Sequence, residues 1–148
     1  MKNYKLPFKI VTARALIVRR EDGCLLGVLH KGRERYAPPG GHVEKGESPA
    51  QAVIRELEEE CIRLIDTDAH WEERLAVDYY APYKALNCWY IFLVEDVQLG
   101  QSDEIADARW LNQSQDVWHP NMREKILLAL KTYVPDMLKV DVSVLESW

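Results

Sequence analysis

Cysteine is scarce. The three in the chain, Cys24, Cys61 and Cys88, are odd in number and widely spaced, which suits neither a disulfide framework nor a zinc site and leaves reduced thiols in a cytoplasmic protein as the expectation. No apolar run approaches the roughly 20 residues needed to span a bilayer, and the opening MKNYKLPFKIV lacks the apolar stretch of a signal peptide. The reading is a soluble, intracellular protein with no membrane partner. Positive charge is in deficit: 19 Lys and Arg face 24 Asp and Glu, a formal charge of −5, so there is no general attraction to a phosphate backbone and nucleic acid is a poor expectation. Repeats, linkers and low-complexity tracts are missing too. With 47% hydrophobic residues in 148, the chain suits one domain over 1–148 with a core that needs no staples.

What is present reads as alternating strands and helices. FKIVTARALIVRR (8–20) and CLLGVLHKG (24–32) are rich in Val, Ile and Leu and are separated by EDG, a turn signal at Gly23, which predicts a hairpin. RERYAPPGGHVEKGES follows, and its Pro and Gly content predicts about a dozen residues of irregular loop. A helix is then announced by Ser48 as N-cap, Pro49 at the first helical position and Gln51 at capping-box spacing. Val53, Leu57, Cys61 and Leu64 fall along one stripe at helical spacing and should face the core. Downstream, ERLAVDYYA and ALNCWYIFLVEDV read as strands, the second so continuously apolar that it belongs in the middle of a sheet. ARWL reads as another short strand, and a last helix runs from about Asn121 to Tyr133. The tail MLKVDVSVLESW alternates Val140, Val142 and Val144, a pattern that permits a strand. The fold class is α/β or α+β.

Residues 40–63 set six glutamates against one lysine and two arginines. On a helix Glu56, Glu59 and Glu60 stand at i, i+3 and i+4, so their carboxylates converge, and only Arg55 and Arg63 are near enough to relieve the repulsion. An ordinary acidic run is a solvated face. This one follows a glycine-rich loop and has Glu47 just before its cap. Carboxylates gathered beside backbone carbonyls suit a hard divalent ion such as Mg²⁺ or Mn²⁺, and Mg²⁺ commonly completes its shell with phosphates. The cluster points to phosphate chemistry.

At this point the residues resemble the Nudix hydrolases, whose box G-x5-E-x7-R-E-U-x-E-E-x-G-U, with U a bulky aliphatic residue, reads here as Gly41, Glu47, Arg55, Glu56, Leu57, Glu59 and Glu60. With each residue type at about one in fifteen of average usage, six fixed matches in register arise by chance on the order of once in ten million positions. Pro39-Gly40 ahead of Gly41 and the later DEIADARWL add to the likeness. Two positions depart: Ile62 replaces the terminal glycine of the box and Arg63 the aliphatic residue after it. Without that glycine to turn the chain, the helix is expected to run on through Leu64 or Ile65.

The resemblance implies an α/β/α sandwich with a mixed sheet and a loop-helix-loop motif, and a metal-dependent pyrophosphohydrolase acting on a nucleoside diphosphate linked to another group. Carried over position by position, Glu59 and Glu60 are the main metal ligands, Glu56 is a ligand or the base that activates water, and the Gly41 carbonyl is a further ligand. Arg55 orients a glutamate and Glu47 is peripheral. Where the base lies outside the box, Glu104 and Asp103 are the candidates, against a plain polar turn. Tyr36 is a candidate to stack on a nucleobase, with core packing the alternative, and Lys31, Arg33 and Arg35 are candidates to steer phosphates, with a basic surface turn the alternative. Tyr79 and Tyr80 lie roughly where relatives that cleave diadenosine polyphosphates carry a tyrosine. His30, His42, His70 and His119 show no ligand spacing, and Trp89, Tyr90 and Phe92 read as core. The expected cofactor is Mg²⁺ or Mn²⁺ and the expected substrate a nucleoside triphosphate or nucleotide sugar. The alternatives are a nucleotide-binding sensor without turnover and removal of a 5′ pyrophosphate from RNA. Dimerisation is common among relatives, which makes a homodimer possible.

Overall fold

The computed structural model describes residues 8–112 and 117–133. Its centre is a pair of ten-residue strands, β1 (Ile10–Arg19) and β6 (Ala85–Val94), which run parallel in register from Ile10 opposite Ala85 to Arg19 opposite Val94. Around them a six-stranded mixed sheet has the order β5-β6-β1-β2-β8, with β2 (Leu25–His30), β5 (Leu75–Tyr80) and β8 (Ile105–Leu111). The short β3 (Gly40–His42) pairs antiparallel with β1.

The apolar run of β6 has the physical cause its composition suggested: both faces of the sheet are covered. Cys88, Tyr90, Phe92 and Val94 point to one side, where they pack with Ala13, Ala15 and Ile17 of β1 against Ala52, Val53 and Leu57 of helix α1 (Pro49–Glu59). Trp89, Ile91 and Leu93 point to the other, where Leu16, Val18 and Trp118 join Ile126 and Leu130 of helix α2 (Pro120–Tyr133). The mixed sheet between two helices agrees with the expected class. No helix among the described residues is long and apolar enough to cross a membrane.

Two local expectations are corrected. The segment after Arg33 is not wholly irregular, because β3 lies within it and Ala37 pairs with Val28. Helix α1 does not continue through Leu64. It ends at Glu59, with the N–H groups of Glu60 and Cys61 donating to the carbonyls of Glu56 and Glu58 at 2.9 and 3.1 Å. Cys61 takes the left-handed turn at φ 58°, and Ile62 starts β4 (Ile62–Ile65), which pairs with β7 (Asp96–Leu99) in a separate two-stranded sheet. Pairing with β7 and burial of Ile62, 7% exposed in the core under α1, outweigh the steric cost of a non-glycine turn, which is about 1–2 kcal/mol. The valine-rich tail lies outside the described residues.

Candidate active site

Ser48 begins the site by fixing where α1 starts. Its hydroxyl accepts from the Gln51 N–H at 3.1 Å, and the Gln51 side chain accepts from the Ser48 N–H at 2.9 Å, closing the capping box. This phase turns Val53 and Leu57 inward and leaves Arg55, Glu56 and Glu59 on the face toward β3.

Arg55 organises that face. Its Nε and Nη2 donate to the two oxygens of Glu47 at 2.8 and 3.0 Å. Nη1 donates to Glu56 Oε1 at 3.2 Å and Glu59 Oε1 at 3.1 Å, and Nη2 also donates to the His42 carbonyl at 2.9 Å. The planar fork suits such multiple contacts where a lysine could not make them. These contacts, first of all the hydrogen bonds to Glu47, push the guanidinium above its already high value, and the same bonds hold Glu47 below the usual carboxylate range. Glu56 lies pressed against Gly41, where a Cβ would stand 2.5 Å from Glu56 Oε1. Burial raises its pKa; Arg55 opposes the rise and the negative charges of Glu60 and Glu59 add to it.

Glu60, the residue that caps α1, has a different environment. Its side chain is fully buried, and neither carboxyl oxygen has a hydrogen-bond partner. The nearest charged or chargeable partner is His30 Nε2, 3.5 Å from Glu60 Oε1. On β1 the Arg14 guanidinium is lowered by burial and raised by the charges of Glu60 and Glu56, and its Nη1 donates to the Pro38 carbonyl at 3.2 Å. A buried carboxyl group without a partner is costly, and a divalent cation would satisfy it. The donor set fits a hard metal: Glu60, Glu56 and Glu59, with the backbone of Gly41 adjoining Glu56. Among the described residues no three or more acidic, histidine or cysteine side chains are gathered so that they could hold an ion, and Arg55 occupies Glu56 and Glu59, so it is the donor types and not their present placement that suit the metal.

The other sequence candidates are scattered. Glu104 is exposed; its N–H donates to Ser102 Oγ at 3.2 Å, and that hydroxyl donates to the Glu59 carbonyl at 3.3 Å, tying this loop to the end of α1. Asp103, not Glu104, joins Glu60, Lys31 and Asp107 in lining a cleft of about 530 Å³. Arg33 and Arg35 are exposed on the connection from β2 to β3. Tyr36 is 8% exposed and packs in the core on the α2 side, its hydroxyl donating to Asp107 and its ring under Arg109. That placement corrects the stacking expectation in favour of packing.

A second cleft of about 270 Å³ lies across β3 from the glutamates, lined by Arg14, His42, Tyr80, Tyr83, Asn87 and Lys125 among others. Its polar lining is held in place: Thr12 donates to Asn87 Oδ1 at 2.7 Å, and Lys125 Nζ donates to Asp78, behind the lining, at 3.0 Å. Tyr80 and Tyr83 lie with ring centroids 5.2 Å apart. Sequence reasoning missed Arg14 and His30 and, of this cleft, named only Tyr80 as a candidate. Arg14 did carry a signal, a charge in the interior of an apolar strand.

A family model described as the NUDIX domain matches residues 9–127. The chain belongs to the Nudix family. It is a Nudix hydrolase, acting on phosphoric anhydride bonds, as the box from Gly41 to Arg63 implied. The chain is 31% identical over 109 residues to an 8-oxo-dGTP diphosphatase of Haemophilus influenzae, an alignment that covers 71% of this chain and 78% of that protein. The crystal structure of a UDP-X diphosphatase superposes with a TM-score of 0.68 at 26% identity and covers 89% of this chain; the chain spans 65% of its length. A bifunctional NMN adenylyltransferase/ADP ribose pyrophosphatase from Francisella tularensis, complexed with AMP and a manganese ion, gives a TM-score of 0.63 at 25% identity, covering 86% of this chain and 43% of that one. Nudix hydrolases use a divalent metal, and that complex contains one.

Proposed function

We propose that this Nudix hydrolase cleaves the pyrophosphate bond of a nucleoside triphosphate or a nucleotide sugar in the cytoplasm, with Mg²⁺ or Mn²⁺ as its cofactor. The observation that carries the reading is Glu60, a carboxyl group buried without a hydrogen-bond partner at the end of a helix whose neighbouring glutamates are already held by Arg55. In this reading Glu56, Glu59, Glu60 and the Gly41 carbonyl hold the metal. Arg55 fixes the rotamers of Glu56 and Glu59, and Glu47 fixes Arg55. A divalent metal bound there supplies charge neutralisation for the phosphate oxygens and a lowered pKa for bound water. The chain's own groups do the rest. If Glu56 is not itself a ligand, it takes the proton of the attacking water, with Asp103 and Glu104 the alternatives on the loop across the cleft. Lys31 borders the cleft that Glu60 lines and draws in the diphosphate. In-line attack needs no covalent nucleophile.

The second cleft supports a nucleotide as the substrate, because Tyr80 and Tyr83 offer aromatic surface to a base and Arg14 a cation between the two clefts. The relatives that act on 8-oxo-dGTP and UDP-X support the two substrate classes without choosing between them. The test is a hydrolysis screen with Mg²⁺ or Mn²⁺ over nucleoside triphosphates, nucleotide sugars, dinucleoside polyphosphates and 5′-triphosphorylated RNA, with products read by mass. Metal-dependent release of phosphate-bearing products from one class carries the proposal. Silence across the panel from folded, metal-binding protein would turn the reading to a nucleotide-binding sensor.

A further inference from the structure

We propose that His30 Nε2 is a ligand of the divalent metal beside Glu60, so that this site contains one nitrogen donor among its oxygens. The inference rests on the proposed metal at Glu60. His30 is the last residue of β2, and the pairing of β2 with β8 shifts register between Leu29 and His30. The extra residue of that shift lies on β8, and His30 keeps the alternation of β2, on the face of Leu26 and Val28 that packs against α1. That face brings the imidazole to within 3.5 Å of Glu60 Oε1, across 30 positions of sequence in which no ligand spacing was legible. The contact is not a hydrogen bond, since both Glu60 oxygens lack one. Two donors each about 2.1 Å from one ion lie roughly 3.0–3.5 Å apart for cis angles between octahedral and tetrahedral. The ring nitrogen and the carboxyl oxygen are therefore already separated as two ligands of one ion are. The imidazole is one-third exposed while Glu60 is fully buried, so the ring nitrogen can exchange water for an ion where Glu60 alone cannot.

A nitrogen ligand changes which metal the site prefers. Mg²⁺ and Mn²⁺ both favour oxygen donors, but Mn²⁺, a first-row transition ion, accepts an imidazole nitrogen more readily than the harder Mg²⁺, so loss of His30 weakens Mn²⁺ binding more than Mg²⁺ binding. The test is pulsed electron paramagnetic resonance on the full chain loaded with Mn²⁺ alone, a measurement independent of turnover. The expected result is ¹⁴N modulation from a directly bound imidazole, replaced by the ¹⁵N pattern when the histidines are ¹⁵N-labelled and lost in His30→Gln. Calorimetry on His30→Gln should give Mn²⁺ affinity lower by roughly 10-fold or more, with a smaller change for Mg²⁺. The labelled wild-type protein alone decides the matter if the variant fails to fold. Mn²⁺ bound without nitrogen modulation, modulation that survives in folded His30→Gln, or no Mn²⁺ binding at all would each overturn the proposal. Nitrogen coupling with no hydrolysis of any nucleotide would instead leave His30 as a ligand and sink the catalytic reading.

Discussion

Glu60 and Glu58 are two positions apart on the same helix end, yet the structure gives them opposite surroundings. Glu58 is exposed, and Glu58→Gln should leave both turnover and stability within about 0.5 kcal/mol of wild type. Glu60 has no exposed side-chain surface and no hydrogen-bond partner. Folding around it without metal costs desolvation that the charge of Arg14 offsets only in part. Glu60→Gln keeps the shape and removes the charge. Its hydrolytic rate should fall by at least about 100-fold while the metal-free melting temperature rises by roughly 2–6 °C. A steady-state assay and a thermal melt in chelator measure the two. Normal turnover in Glu60→Gln would mean that the metal is held elsewhere. This opposition of activity and stability was not readable in the sequence, which showed the carboxylates converging but could not show which of them is sealed from water.

At the scale of the element, helix α1 divides what the sequence revealed from what it concealed. Its start was legible because Ser48, Pro49 and Gln51 are local signals acting within one turn. Its end was not, because the competitor is a distant strand: β7, more than 30 residues on, pairs with Ile62–Ile65 and draws them out of the helix. The left-handed turn then falls on Cys61, one position before the Ile62 that replaces the box glycine. Two substitutions separate the contributions. Cys61→Gly relieves the φ of 58° and should stabilise by about 0.5–1 kcal/mol. Ile62→Gly empties a buried core position and should cost about 3–5 kcal/mol, with less effect on chemistry than on stability. Denaturant midpoints test both, and a destabilised Cys61→Gly would mean that the turn at this position carries no steric cost. The β1–β2 hairpin carries its own pH signature. Asp22 accepts from Arg19 and from the Cys24 N–H, and its pKa is lowered to about 2, mainly by the Arg19 hydrogen bond. A folded-state value below the unfolded one stabilises above the unfolded pKa, near 3.8, and is lost as pH falls toward 2. Asp22 is 38% exposed, so solvent screening keeps the effect within about 1 kcal/mol. Melts of Asp22→Asn should therefore show a small deficit at pH 7 that vanishes near pH 2.

Across the whole molecule, the sheet was legible where burial alone sets the pattern. β6 is apolar throughout because α1 and α2 cover its two faces, and that is visible in one dimension. The site was legible only along α1, where helical spacing does the assembling. His30, Arg14 and the tyrosine cleft come from β2, β1, β5 and the turn after it, and no local period records their meeting. Metal binding should connect these parts, because it acts on the folded chain alone. Mn²⁺ at about 100 times its dissociation constant stabilises the native state by about 2.7 kcal/mol, or roughly 5–11 °C for a chain of this size. In Glu60→Gln the shift should be nearly absent. The two melting curves must then cross: the variant is the more stable protein in chelator, and wild type is the more stable in Mn²⁺. A matched increase in K⁺ should reproduce neither change. Equal Mn²⁺ shifts in both proteins would place the ion away from Glu60 and leave the burial of that carboxyl group without a cause.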